Sequence, residues 1–246
     1  MTNRVLILGA TSAIAHETAK CFAAEGAALC LVGRSAEKLA ACERDLKVAG
    51  ASQVATLCYD LDDLDAHETL INEAVTALGG LDVALLAQGT LGNQAASQSS
   101  VSETLKQFQT NALSYISLLT LLANRFEAQK SGAIAIIGSV AGERGRGSNY
   151  VYGSAKGAVM LFAGGLRNRL AKAGVAVLTV KPGFVDTPMT AGMKKNPLYA
   201  SAKSVGGRIH KAVQRREDVV YTPWFWMGIM AIIRSIPERL FKKLGL

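Results

Sequence analysis

The stretch Val5-Leu6-Ile7-Leu8-Gly9-Ala10-Thr11-Ser12-Ala13-Ile14-Ala15 decides how the rest of the chain is read. Its four apolar residues run without alternation, as in a strand buried on both faces. A turn of small residues follows, then a helical pattern over His16–Glu25. A strand that turns into a helix N-terminus offers an anion open backbone amides and the positive end of the helix dipole. Gly9 permits the tight turn, and Ala13 and Ala15 are small enough to let a ligand approach the backbone. The spacing is not G-x-G-x-x-G, so alone the stretch is equally open to plain helix–strand packing.

The same unit repeats along the chain. Apolar runs at Leu29–Val32, Val54–Cys58, Val83–Ala87, Ile134–Ile137 and Val175–Val180 read as strands. Between them, Glu37–Ala49, Ala66–Leu78, Val101–Ala128 and Tyr152–Ala173 read as helices, and Val219–Tyr221 reads as a seventh strand. Strand and helix in alternation predict an α/β fold: a doubly wound, Rossmann-like parallel sheet of about seven strands. One domain over residues 1–221 accounts for it, followed by a tail over 222–246. The chain has 246 residues, half of them apolar and only 19% charged, which suits one globular core and excludes a disordered protein.

Cys21, Cys30, Cys42 and Cys58 lack the two-residue spacing of a redox or zinc motif, so no metal is expected. Cys30 and Cys58 lie in apolar runs and read as buried small hydrophobes. The run Val5–Leu8 is too short for a secretory leader, and the reading expects a reducing, cytoplasmic setting. Charge is uneven. Up to Thr187 there are 16 Lys+Arg and 16 Asp+Glu; from Pro188 onward there are 11 and 3. The whole net charge of +8 therefore sits in the last quarter, as for a solvated basic surface or an anionic partner.

The second strand ends Leu31-Val32-Gly33-Arg34-Ser35. In dinucleotide-binding sheets this strand end meets the adenosine ribose, where a carboxylate favours NAD. Here Arg34, with Ser35 beside it, suits a 2′-phosphate, so NADP(H) is expected over NAD(H); a plain surface arginine is the alternative. Further on, Tyr152 and Lys156 stand four apart, on one face of a helix. A phenol with a pKa near 10 is a poor acid–base catalyst at neutral pH unless a nearby ammonium stabilises its phenolate. Ser139, at the end of the fifth strand, is placed to bond a substrate carbonyl.

On these residues the chain resembles the short-chain dehydrogenase/reductase family from about Arg4 to Thr187. Gly9-Ala-Thr-Ser-Ala-Ile-Ala15, including Thr11, Ser12, Ala13 and Ile14, looks like its glycine-rich cofactor motif, with Ala13 and Ala15 where glycines are usual. Asp60-Leu61 looks like its adenine contact. Ala87-Gln88-Gly89 resembles its fourth-strand motif, with Gln88 for the usual asparagine. Asn111, Ser139, Tyr152 and Lys156 match its catalytic tetrad, and Pro182-Gly183-Phe184-Val185-Asp186-Thr187 its nicotinamide-holding segment. The resemblance implies that Tyr152 moves the proton, Ser139 polarises the carbonyl, Lys156 acidifies Tyr152 and holds the nicotinamide ribose, and Asn111 positions a water. It also implies a substrate lid over about 188–211, where Lys194, Lys195, Lys203, Arg208 and Lys211 either meet a substrate phosphate or are merely solvated. Pairing into a dimer or tetramer through the long helices is implied as well; the first carries Leu113, Ile116, Leu118, Leu119, Leu121 and Leu122.

The end is distinctive. Thr222-Pro-Trp-Phe-Trp-Met-Gly-Ile-Met-Ala-Ile-Ile233 holds both tryptophans and precedes Arg234, Arg239, Lys242 and Lys243. Its apolar run from Trp224 to Ile233 is ten residues, well short of the roughly 18 needed to span a bilayer. It reads either as a helix lying in a membrane interface, broken at Pro237, or as an arm packing on a partner subunit. With Asn149-Tyr150-Val151-Tyr152, this tail is similar to that of polyprenyl-phosphoryl keto-pentose reductases, which implies a lipid-linked carbonyl substrate. A reductase of 3-oxoacyl thioesters and a non-catalytic NADP-sensing module are the alternatives. Nucleic acid is not expected, since the basic residues lack an aromatic-lined reading motif.

Overall fold

The computed structural model describes residues 3–245. In chain order the strands are β1 (Arg4–Leu8), β2 (Ala28–Gly33), β3 (Gln53–Cys58), β4 (Val83–Leu86), β5 (Ala133–Ile137), β6 (Ala176–Pro182), β7 (Val185–Asp186), β8 (Ala200–Ser201) and β9 (Val219–Thr222). The helices are α1 (Ala13–Ala24), α2 (Ala36–Val48), α3 (His67–Leu78), α4 (Gln94–Ser99), α5 (Val101–Phe108), α6 (Ser114–Gln129), α7 (Tyr150–Leu170), α8 (Ala202–Gln214), α9 (Trp226–Ser235) and α10 (Glu238–Phe241). Seven strands form one parallel sheet in the order β3-β2-β1-β4-β5-β6-β9, and β7 and β8 pair separately. The order reverses between β1 and β4, which opens a crevice at the carboxyl ends of those strands.

Successive residues of the central strands feed opposite cores. Leu6, Leu8, Cys30, Val32, Leu86 and Ile136 meet the apolar faces of α3, α6 and α7. Val5, Ile7, Leu29, Leu31, Leu85 and Ala135 meet α1, α2 and α8. Two buried faces explain why these runs lack alternation. Edge strand β3 differs: burial alternates along it, and Cys58 is exposed rather than buried as its apolar run suggested. Only a non-local fact, strand order, makes β3 an edge.

Two expected elements are altered. The continuous helix over Val101–Ala128 is interrupted by a π-helical turn at Gln109–Leu113 between α5 and α6. The expected lid over 188–211 divides: from Ala202 onward it is α8, capped by Ser201 and docked through Val205, Ile209, Ala212 and Val213 into the core. The cations of α8 stay outside, and Arg208 is held by Glu217.

The tail does not hang free. Trp226 and Met230 of α9 form a small third core with Val140, flanked by Phe184, Tyr221 and Ile233. Pro237 separates α9 from α10, as the sequence indicates. Arg144, in the loop after β5, bonds the Ile233 carbonyl and Glu238 and lies 3.6 Å above the Phe241 ring. The buried Glu143 carboxylate faces Lys181 at 3.3 Å and Arg234 at 3.4 Å. Among the described residues, no helix is long and apolar enough to cross a membrane.

Candidate active site

The carboxyl ends of β1, β4, β5 and β6 open onto a cleft of about 670 Å³. At one end β1 turns at Gly9, where φ is +77°. A Cβ there would lie 2.6 Å from Gln88 N and 2.9 Å from Ala87 C, so the backbones of β1 and β4 approach as only glycine allows. Ser12 precedes α1 without capping it by its side chain. The first-turn amides of Ala13 and Ile14 have no intrahelical acceptor, and both residues line the cleft with Thr11 and Ser12. Ala15 does not: it is fully buried against the sheet, because it lies on the inner face of α1. Arg34 is on the cleft wall 4.0 Å from Asp60, and Leu61 lies beside them. Ser35 is absent from that wall. Its side chain accepts from Lys38 N at 3.3 Å and caps α2, the ordinary role of a serine at that position.

The other end gathers Asn111, Ser139, Tyr152 and Lys156. Ser139 leaves β5 and its Oγ accepts from Ala141 N at 3.1 Å. Tyr152 lies in the first turn of α7. Burial raises its phenol above the ordinary range, and a bond with the Ser139 hydroxyl opposes that rise. Lys156, one turn on, makes its hydrogen bonds to groups other than Tyr152. Its Nζ donates to Tyr115 Oη at 3.2 Å and to the Ile137 carbonyl at 3.1 Å. Tyr115 Oη in turn donates to the Gln88 carbonyl at 2.5 Å. Burial of the Lys156 ammonium lowers its pKa to about 7. The lysine–tyrosine contact of this geometry is therefore with Tyr115, not with the phenol that the sequence pairs with Lys156.

Asn111 occupies the π turn. Its Nδ2 donates to the Thr90 carbonyl at 2.9 Å and to Gln107 Oε1 at 3.1 Å, and its Oδ1 accepts from Thr90 N at 3.0 Å. Both amide hydrogens are thus used, and the side chain pins the segment after Gly89 rather than offering a donor to a water. π turns of this kind recur at functional sites. Ala87, Gln88 and Gly89 form the floor, and Pro182, Gly183, Val185 and Thr187 the facing wall. Any side chain at Gly183 would collide with the indole of Trp226, which also lines the cleft. Of the expected lid, Pro188, Met189, Thr190 and Met193 reach the cleft, but Lys194, Lys195, Lys203, Arg208 and Lys211 do not; Lys195 bonds Asp186 at 2.7 Å instead. Among the described residues no cluster of His, Cys, Asp or Glu is arranged to hold a metal ion.

The sequence profile of the short chain dehydrogenases matches residues 3–198. The chain belongs to the short-chain dehydrogenase family. Like other members it is an oxidoreductase built on a Rossmann-like sheet. It is 36% identical over 240 residues to an uncharacterized oxidoreductase of Mycobacterium tuberculosis, covering 98% of this chain and 96% of that one. A short-chain dehydrogenase from Sphingobium yanoikuyae, solved in complex with NADPH, is 26% identical with a TM-score of 0.82, covering 96% and 97% of the two chains. Levodione reductase shares the fold at a TM-score of 0.84 and 23% identity, covering 93% and 98%. Within this family frame, sequence reasoning missed Tyr115, which reads as one more apolar position of α6, and Trp226, which reads as part of an outlying tail. It also missed Arg146, which lines the cleft from the loop after Ser139.

Proposed function

We propose that the protein is an NADP(H)-dependent carbonyl reductase, acting on a lipid-linked keto-sugar through Ser139, Tyr152, Lys156 and Asn111. One observation carries the reading: these four residues share a single cleft with the turn at Gly9 and the open first-turn amides of α1. Open amides at Ala13 and Ile14 suit a diphosphate, and Arg34 at the β2 end suits a 2′-phosphate. Asp60 and Leu61 flank the adenine position, and Pro182, Gly183, Val185 and Thr187 the nicotinamide. When bound, the cofactor supplies or accepts the hydride.

The chain's own residues handle the proton. Burial keeps the Tyr152 phenol protonated at neutral pH, so it can donate to the carbonyl oxygen as negative charge develops there. Ser139 Oγ donates to the same oxygen and stabilises the charge that develops there. Tyr115 and the Ile137 carbonyl hold Lys156 in place, and Asn111 holds Thr90 beside it as a positioning residue. Tyr152→Phe is the test, with NADPH and NADH run in parallel against a panel of ketones. Expected are a loss of roughly a hundred- to ten-thousandfold in turnover with NADPH binding retained, and faster wild-type turnover with NADPH than with NADH. Normal turnover in the variant would remove this mechanism.

The tail supports the lipid-linked part of the reading. While Trp226 and Met230 face inward, Trp224, Met227 and Ile232 are 79%, 59% and 66% exposed on the outer side. Arg239, Lys242 and Lys243 follow in the chain, also exposed and without ion pairs among the described residues. An anionic bilayer accepts both the apolar side chains and the charge, so the face is assigned to a membrane surface. Co-sedimentation with phosphatidylglycerol vesicles, lost in the Trp224→Ser/Ile232→Ser double variant, is expected; no sedimentation refutes the assignment. Self-association belongs to a different face, where Leu113 of the π turn and Leu161 of α7 are exposed. Light scattering should give a dimer or tetramer at micromolar concentration, and a monomer would refute it.

A further inference from the structure

Two arginines stand two residues apart in the loop after Ser139, and the fold treats them differently. Arg144 is spent on the tail, bonded to the Ile233 carbonyl and Glu238 and stacked on Phe241. Arg146 lines the catalytic cleft. Among the described residues, its guanidinium has no carboxylate, carbonyl or hydroxyl within hydrogen-bond reach. The other charged groups of the cleft wall do not serve it. Asp60 is opposite Arg34, and neither Asp62 nor Glu103 is within ion-pair distance of Arg146.

A guanidinium carries five donors and stays charged at any ordinary pH. Withdrawing one from water without a counter-charge is costly, and burial does lower the Arg146 pKa. Such a cost persists at sites where a ligand completes the pair. Asn149, three residues on and also in the cleft wall, has a buried side-chain oxygen with no partner, an acceptor suited to a substrate hydroxyl and not to the anion itself. The lid lysines are engaged elsewhere or turned outward, as described above. Of the other cations of the cleft, Lys106 on α5 is exposed to solvent and Lys156 is bonded to Tyr115 and the Ile137 carbonyl; the half-buried one without a partner, in the loop after Ser139, is Arg146.

We infer that Arg146 receives an anionic group of the substrate, a phosphate or carboxylate, and selects anionic over neutral ketones. This rests on the reductase reading and narrows its substrate class. A guanidinium fits either anion through two parallel N–H···O bonds, so the two sources need separate arms.

The test compares kcat/KM with NADPH for two matched pairs: hydroxyacetone phosphate against hydroxyacetone, and 4-oxopentanoate against its ethyl ester. Wild type should favour the anionic member of at least one pair by roughly ten- to a hundredfold. The phosphate pair and the carboxylate pair report separately which anion the site takes. In Arg146→Gln the preference should collapse toward unity, through KM more than kcat, and Arg146→Lys should restore part of it. Melting of the Arg146→Gln protein, with NADPH affinity alongside, checks that the variant is folded. In addition, the anionic ketone should protect the wild-type protein from heat more than it protects the variant. Equal kcat/KM within both pairs for wild type overturns the inference, as does a preference that survives in Arg146→Gln. If no ketone of either kind is reduced, the reductase reading itself fails, an outcome distinct from reduction without anion preference.

Discussion

Lys156→Met should make the protein more stable while destroying its turnover. The Lys156 ammonium is buried, with a pKa lowered to about 7. In the unfolded chain a lysine titrates near 10.4. Between those values the unfolded chain holds the extra proton, so stability rises with pH through that window, and below it the full penalty applies. At pH 7 the half-titrated group costs about 4 kcal/mol, and at pH 9 about 2 kcal/mol. Methionine removes this penalty at nearly equal volume. It also loses the bonds to Tyr115 Oη and the Ile137 carbonyl, worth about 1–3 kcal/mol together. The net gain at pH 7 is about 1–3 kcal/mol, or a Tm higher by roughly 2–12 °C for a chain of this size, shrinking toward zero at pH 9. Thermal melts of both proteins without nucleotide, at pH 7 and pH 9, measure the gap directly. A variant that melts lower at pH 7, or a gap that does not narrow by pH 9, would refute the reasoning. Such an exchange of stability for chemistry is common where a site needs an ill-solvated charge.

Gly9→Ala should be destabilised by about 2–5 kcal/mol, from a left-handed φ without glycine and a methyl pressed on the β4 backbone. Differential scanning calorimetry should show a Tm lower by at least about 4 °C, with nucleotide binding lost. Arg144→Ala should release α10 at a cost of about 1–2 kcal/mol, seen in limited trypsin digestion as faster cleavage at Arg239, Lys242 and Lys243. Digestion at the wild-type rate would show that the Arg144 contacts do not hold the tail.

Much of the scaffold is legible because parallel strands buried on both faces leave a local mark, an apolar run between helical patterns. β1, β2 and β4 carry that mark within a residue or so of their ends. What escapes has no local mark. Exposure of Cys58 depends on which strand ends the sheet. The π turn at Gln109–Leu113 inserts a residue without disturbing the apolar pattern on either side, so Val101–Ala128 reads as one helix. The four matched positions Asn111, Ser139, Tyr152 and Lys156 are brought to one cleft, but their partners are set in three dimensions. Lys156 meets Tyr115, forty-one positions away, and Asn111 meets Thr90. Ser35 and Ala15 show the converse: a motif position does not say which side of a helix, or which backbone amide, a side chain serves.

The indole of Trp226 resting on Gly183 has a practical corollary at the bench. Any label or reporter attached to α9 sits on an element that walls the cleft, and can skew apparent substrate preference without touching Ser139, Tyr152 or Lys156. Because every strand of the main sheet runs in the same direction, β1 begins at the opposite rim from the chemistry. Labels belong at that rim, and activity profiles gathered with a label on α9 should be repeated with the label removed.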